Sequence, residues 1–321
     1  MRGATPLRRF LLRRAAFAAV TLWGITVIVF ILSRLGPDPL LMFVRDSSYG
    51  LSEETASAIR SKWGLDRPLV FQYGIWLGRV ARGDLGESIA SGRKVTKTIR
   101  ETLGNTLELG VAAWFVATFT GVPLGVLSAV KRGGVWDYMG RTIALVGQAT
   151  PPFWLALLAI LVFAVGLGWL PVATKLREGS LWAQARYFVL PTVVLAFGPM
   201  ATYLRLTRSA MLEVLDSEYV KLARAKGVKV RKVVWKHAFR NALIQPVTTS
   251  ALIFASFITG AIFVESIFAW PGLGRLAARA TFDNDFPVIA GVVLLFGVIY
   301  LTLNFLADAS YALIDPRIRL D

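Results

Sequence analysis

The chain has 321 residues, of which 55% are hydrophobic and 17% charged, with a formal net charge of +16 and a mean hydropathy of +0.57. A soluble domain of this length has no core large enough for that much apolar surface. The basic residues flank uncharged blocks and show no aromatic-interleaved binding surface, so the charge points to membrane topology and away from nucleic acid.

Six uncharged blocks approach the roughly 20 apolar residues that a helix needs to cross a bilayer, and lipid leaves their backbone groups no partner except within a helix. The first span covers 15–35, behind a short amino terminus (1–14) that carries Arg8, Arg9, Arg13 and Arg14. Its apolar stretch is too long for a secretory signal, and Ser33-Arg34-Leu35-Gly36-Pro37 is not a cleavage site.

A long extracytoplasmic loop is expected over 36–106. Ser52 suits an N-cap, Ala56, Ile59 and Trp63 share a helical face, and Gly64 suits a stop. A second helical pattern, Val70 to Arg82, repeats Tyr73, Trp76, Leu77 and Val80. It fits an amphipathic helix on the outer membrane surface, or one packed on the loop's own core. Gly86-Glu87-Ser88-Ile89-Ala90-Ser91-Gly92-Arg93-Lys94 imitates a phosphate-binding loop. The spacing of its glycines is wrong, Arg93 stands for the lysine, and no Ser or Thr follows Lys94, so it is discarded as a nucleotide site.

A core of five further spans is expected over 107–312. The second block (109–130) contains Gly121, Pro123 and Gly125, and the third (142 to about 170) contains Pro151-Pro152. The fourth is short, between Arg186 and Arg205, with Pro191 and Pro199. The fifth lies between Arg240 and Glu265, the sixth between Asp285 and Asp308, and a short carboxy terminus occupies 313–321. Lys and Arg cluster at the amino terminus, after the second span and after the fourth, where ten fall between Arg205 and Arg240. The positive-inside rule then places both termini in the cytoplasm.

Between the fourth and fifth spans, 212–240 forms a cationic cytoplasmic segment. Asp216 or Ser217 can cap a short helix through Lys226, and Gly227 supplies the positive φ expected just past its end. Tyr219, Leu222 and Ala223 are spaced to form one apolar edge, with Lys221 and Arg224 beside it.

Reactive groups do not converge. The one histidine, His237, sits in this basic segment, and no cysteine is present to supply a thiol nucleophile or metal ligand. No residues for catalysis, metal or a bound cofactor are expected. Ionisable groups are absent from the middle of the six blocks, which argues against a proton relay. The polar residues Thr249, Ser256 and Thr259 share a face of the fifth span, and Gln148 lies in the third. They serve either as a solute path or as helix-packing contacts. Glu265, at the outer end of the fifth span, is a candidate for an outer gate or a partner contact.

Glu218 to Gly227, followed by Lys236-His237-Ala238-Phe239-Arg240-Asn241-Ala242-Leu243, resembles the cytoplasmic loop of ABC importer permeases, and more narrowly the peptide/nickel (dipeptide/oligopeptide) family. The likeness runs along the chain. Gly36-Pro37-Asp38-Pro39, Leu65-Asp66-Arg67-Pro68, Arg82-Gly83-Asp84-Leu85-Gly86, Pro152-Phe153-Trp154-Leu155, Gly168-Trp169-Leu170-Pro171, Glu265 to Gly274 and Asp315-Pro316-Arg317 recur in order.

The resemblance implies an all-α transmembrane, six-helix polytopic type I permease with a long outer loop and a cytoplasmic coupling helix. It assigns ATPase coupling to Ser217, Glu218, Tyr219, Leu222, Ala223, Arg224, Ala225, Lys226 and Gly227. Counting back from Gly227, Lys221-Leu222-Ala223 stands where the general permease pattern has Glu-Ala-Ala, so that glutamate's contact does not carry over. The implied partners are a second homologous permease, two ATPase subunits or domains that bind ATP and Mg, an extracytoplasmic solute-binding protein and membrane lipid. The implied location is a bacterial or archaeal plasma (inner) membrane. Implied substrates are di- or oligopeptides, with nickel, glutathione and oligosaccharides handled by relatives. A self-contained secondary transporter or channel is the alternative. It would carry intramembrane charges or a repeat-built pore.

Overall fold

The computed structural model describes the backbone of residues 4–35, 67–172, 175 and 179–314, and the side chains there except at 4–8, 258–260 and 308–314. The expected helix from Ser52 to Gly64, the Gly36-Pro37-Asp38-Pro39 and Asp315-Pro316-Arg317 motifs and the Thr259 side chain lie outside the described residues.

Ten α-helices of eight residues or more carry the described chain: α1 (Ala4–Leu35), α2 (Leu69–Ala81), α3 (Val95–Val130), α4 (Val135–Ala149), α5 (Pro152–Ala159), α6 (Leu181–Leu215), α7 (Glu218–Ala225), α8 (Ile244–Ile267), α9 (Leu273–Phe282) and α10 (Phe286–Ile314). π-helical segments extend α5 over Ile160–Gly166 and join α7 to α8 over Val233–Phe239. Among the described residues four helices are long and apolar enough to cross a membrane, and two bent helix pairs bring the candidates to six where each pair counts as one span.

Three expected boundaries move. The helix of the second span begins at Val95, inside the expected loop. The fourth block, short by hydropathy, lies in a 35-residue helix that runs through Pro191 and Pro199. The third block is not one straight span, because α4 and α5 meet at 106°. Proline has no N–H and pushes its predecessor out of the helical region. Thr150 and Pro151 accordingly sit at ψ 119° and 135°, which turns the chain before Pro152 opens α5.

The chain divides into two compact units. One comprises α1, α2, α3 as far as Gly104, α9, and α10 as far as Phe305. Here α2 packs along α1: Phe30 meets Tyr73 edge-on at 5.3 Å and Trp76 at 5.7 Å, and the Thr26 and Tyr73 hydroxyls lie 2.8 Å apart. The helix expected on the outer surface or within the loop therefore lies against the first span. The start of α3 packs on α10, where a Cβ added to Gly291 would come within 2.8 Å of Val95 Cγ1.

The imitation phosphate loop also belongs to this unit. It is a small hairpin closed by a bridge between Glu87 and Lys94. Its polar groups hold a carboxylate of the same chain. Asp285, buried at the start of α10, accepts from Ser88 Oγ (2.5 Å), Ile89 N (3.1 Å) and Ala90 N (3.4 Å).

The other unit holds α3 from Asn105, then α4 to α8. Its core gathers Leu109, Ala113, Leu195, Tyr203, Phe257 and Trp270 among others. Small residues bring its helices together closely, as is usual where helices pack in lipid. A Cβ on Gly121 would lie 2.5 Å from the Met200 carbonyl oxygen, and one on Gly125 2.7 Å from that of Leu204. On α4, a Cβ on Gly147 would lie 2.6 Å from Ala201 Cβ. So α3 and α4 both pack directly on α6.

Candidate functional site

The segment between α6 and α8 opens with a short helix held by one buried side chain. Val220 is fully buried against Met211, Leu215, Val233, Val234 and Ala238. Around α7 from it, Tyr219 and Leu222 remain 46% and 56% exposed, while Ala223 is half-buried against the same cluster. The expected apolar edge thus splits: Ala223 faces inward, and Tyr219 and Leu222 face out. Glu218, Arg224, Ala225 and Lys226 are exposed.

The helix begins at the Ser217 carbonyl, which accepts from Val220 N and Lys221 N at 3.1 Å each. Ser217 occupies the N-cap position, but its hydroxyl donates backwards to the Val214 carbonyl at 2.5 Å, so the expected side-chain cap does not form. That hydroxyl instead adds a second bond at the Val214 carbonyl, which also accepts from Ser217 N at 3.1 Å. Asp216, the other candidate, ends α6 and pairs with exposed Arg132 at 3.4 Å.

The stop at Gly227 forms as expected, with φ +74°. Gly227 N donates to the Arg224 carbonyl (2.9 Å) and Val228 N to that of Ala223 (3.2 Å), the paired bonds of a Schellman motif. Beyond it, Asn241 Nδ2 donates to Tyr219 Oη and to the His237 carbonyl, at 2.9 Å each, fastening the far side of α7. His237 supplies a backbone acceptor there.

A buried ion pair joins α6, which leads into this segment, to α4. Asp137, in the first turn of α4, is buried and accepts four hydrogen bonds. Arg208 Nε and Nη2 of α6 donate at 2.7 and 3.1 Å, Ser128 Oγ of α3 at 2.9 Å, and Gly133 N at 3.0 Å. Three helices and the turn between two of them therefore meet at one carboxylate.

Gln148 is exposed on α4, one turn from the 106° bend. Thr249 and Ser256 donate to carbonyls of their own helix, those of Gln245 (2.8 Å) and Ile253 (2.6 Å), although Ser256 stays exposed. A polar triangle lies beside them: Trp114 Nε1 donates to Tyr203 Oη (3.0 Å) and Ser250 Oγ (2.9 Å), and those two oxygens lie 2.7 Å apart.

Glu265, the candidate for an outer gate or a partner contact, is enclosed within the chain. It is fully buried, and its Oε1 accepts from Thr106 Oγ1 at 2.7 Å. Its carbonyl accepts from Trp270 N (2.8 Å), Trp270 Nε1 donates to the Asn105 carbonyl (3.0 Å), and Asn105 Nδ2 donates to that of Pro271 (2.8 Å). Lys175 pairs with Glu108, reaches Asn105 Oδ1 at 3.0 Å, and lies 5.4 Å from the Trp270 ring centre. The turn after α8 is thereby fastened to α3.

Comparison with known proteins decides among the readings of such a helical membrane chain. Residues 121–320 match the model of the "Binding-protein-dependent transport system inner membrane component" family, and 7–110 match its amino-terminal companion. The chain belongs to this family. The permease is 37% identical over 313 residues to the oligopeptide transport system permease protein AppB of Bacillus subtilis, covering 96% of this chain and 98% of that one. It is 36% identical over 332 residues to the di/tripeptide transport system permease protein DppB of Pseudomonas aeruginosa, covering 97% and 98%. A solved structure of the MetNI methionine ABC transporter, in an inward-facing conformation, shares the fold at 20% identity. Its TM-score is 0.55, over 68% of this chain and 96% of that one. The chain is thus a multi-pass membrane permease subunit of an ABC importer.

Sequence reasoning about this permease passes over six of the residues that organise the site: Val220, Asp137, Arg208 and the triangle of Trp114, Tyr203 and Ser250. Val220 is visible only as the partner, three and eight residues on, of Ala223 and Val228. Asp137, Arg208 and the Trp114 triangle give no periodic signal, because each acts through a partner distant in the chain.

Proposed function

We propose that this permease passes peptides or related small solutes along a path formed with a second, homologous permease. Two ATPase subunits or domains bind ATP and Mg and drive α7, and an extracytoplasmic solute-binding protein delivers the solute. Both termini lie in the cytoplasm of a bacterial or archaeal cell.

The observation that carries the coupling role is the division of α7. One side is anchored by Val220, and the opposite side offers Tyr219 and Leu222 to solvent. A force on that exposed side reaches α6 through the packed cluster and the Ser217 junction, and Asp137–Arg208 ties α6 to α4. Interiors this closely packed move as bodies and deform little. The peptide assignment rests on relatives named for oligopeptide and di/tripeptide transport that match over nearly the whole chain. The cytoplasmic orientation rests on the placement of Lys and Arg beside the spans. Glu265 is a positioning residue in this reading: it holds the turn after α8 to α3 at the outer end of the span.

The test has two arms. A cysteine at Leu222 should form a crosslink to the ATPase partner in the assembled complex, and uptake by that complex should be competed by di- or oligopeptides. Absence of the crosslink removes the coupling role. Competition by nickel or an oligosaccharide in place of peptides removes the substrate assignment.

A further inference from the structure

Asn241 follows the π-helical segment that joins α7 to α8, and its amide bonds to groups in two different elements. One hydrogen of Nδ2 goes to Tyr219 Oη of α7 and the other to the His237 carbonyl of the π-helical segment, at 2.9 Å each. A carbonyl only accepts, so the contact with His237 fixes which way the amide points. The Tyr219 hydroxyl, on the exposed side of α7, is therefore held as an acceptor.

The segment behind Asn241 is a joint. Its inner side is packed, since Val233, Val234 and Ala238 are buried in the cluster that holds Val220. At its far end Phe239 packs against that cluster and against the core around Tyr203 and Phe257. The Phe239 carbonyl accepts from Leu243 N at 2.8 Å, the last step before α8. π-helical turns are rare, frequent at functional sites, and points at which helices kink. The bond from Asn241 bypasses this joint, closing 22 residues of chain with one contact between α7 and the residues that lead into α8.

That bond responds to a motion to which the packed cluster is indifferent. Apolar burial around Val220 has no preferred direction, whereas a hydrogen bond weakens steeply off its axis. Rotation of α7 about its own axis can leave Val220 buried while it turns the Tyr219 hydroxyl against Asn241.

We propose that Asn241 is a positioning residue for energy coupling: through the Tyr219 hydroxyl it passes motion of α7 to α8, beside the route through the packed cluster to α6. This inference rests on the coupling role of α7 proposed above.

Uptake per ATP hydrolysed in the reconstituted complex tests it, with the crosslink from a cysteine at Leu222 to the ATPase partner measured in each background. Asn241→Leu removes the donor at similar size, and Tyr219→Phe removes the acceptor while keeping the ring. Each should lower the ratio several-fold with the crosslink retained. The double variant should be no worse than the lower single, because both changes remove the same bond. A wild-type ratio in either single variant, or losses that multiply in the double variant, overturns the inference and leaves the coupling role of α7 standing. Loss of the crosslink in both single variants makes the bond part of the docking surface, and also overturns it. Absence of the crosslink in the otherwise unaltered permease removes the coupling role itself, and this inference with it.

Discussion

Arg208 grips the Asp137 carboxylate with two hydrogen bonds, of 2.7 Å from Nε and 3.1 Å from Nη2, in a site closed to solvent around the acid. Breaking a buried pair by removing one partner strands the other, at a cost of roughly 3 kcal/mol or more. Asp137→Asn should therefore lower the thermal stability and yield of the purified permease. Arg132→Ala, which breaks the exposed pair with Asp216, should cost less than about 1 kcal/mol. Fluorescence-detected size exclusion after a heating series separates the two.

Gly121 and Gly125 let α3 lie directly on α6. A methyl group at Gly125 already falls 2.7 Å from both the Leu204 carbonyl oxygen and Thr207 Cβ. Gly125→Leu should drive the helices apart and leave little folded protein in the membrane. Gly104→Ala on the same helix, where a Cβ would meet nothing within 4 Å, should be tolerated. Membrane-fraction yield of folded permease is the measure.

Ser88 and the backbone N–H groups after it hold Asp285, so this loop has a ligand of its own. Ser88→Ala removes one donor and should cost about 1–2 kcal/mol locally. Limited proteolysis within 86–94 should quicken, and photoactivatable ATP should label the loop in neither protein.

The apolar stretches, though not the ends of their helices, and the stop at Gly227 were legible because each depends on residues close in sequence: runs of apolar side chains, and a glycine at the end of a short helix. The 106° turn was half-legible. Pro151-Pro152 marked a disturbance, but its size depends on how α4 and α5 pack. The cap at Ser217 failed as an expectation because the same hydroxyl can serve the helix before it or the helix after it, and α6 holds it. Glu265 read as an outer gate or a partner contact because hydropathy sees the end of a span and cannot see Thr106, 159 residues away, donating to it. Asp137 and Arg208, 71 residues apart, were illegible for the same reason.

Orientation is open to direct measurement, since the natural chain has no cysteine. A cysteine at exposed Arg82 should react with an impermeant maleimide from outside intact cells. One at exposed Lys226 should react only after the membrane is opened. The opposite pattern would reverse the topology.

The central claim is that α7 transmits force through its exposed side. The most direct measurement is uptake per ATP hydrolysed in a reconstituted complex carrying Tyr219→Ala and Leu222→Asp. Leu222 faces solvent, Val220 is untouched, and Tyr219→Ala gives up only the exposed bond from Asn241, so the permease should fold and insert as before. Leu222→Asp alone, which leaves that bond in place, is the control. Transmission predicts that uptake collapses and that solute no longer stimulates hydrolysis. Gly227→Val should weaken coupling as well, because it opposes the left-handed turn by roughly 1–2 kcal/mol. Normal uptake with normal stimulation in the Tyr219/Leu222 double variant would contradict the account.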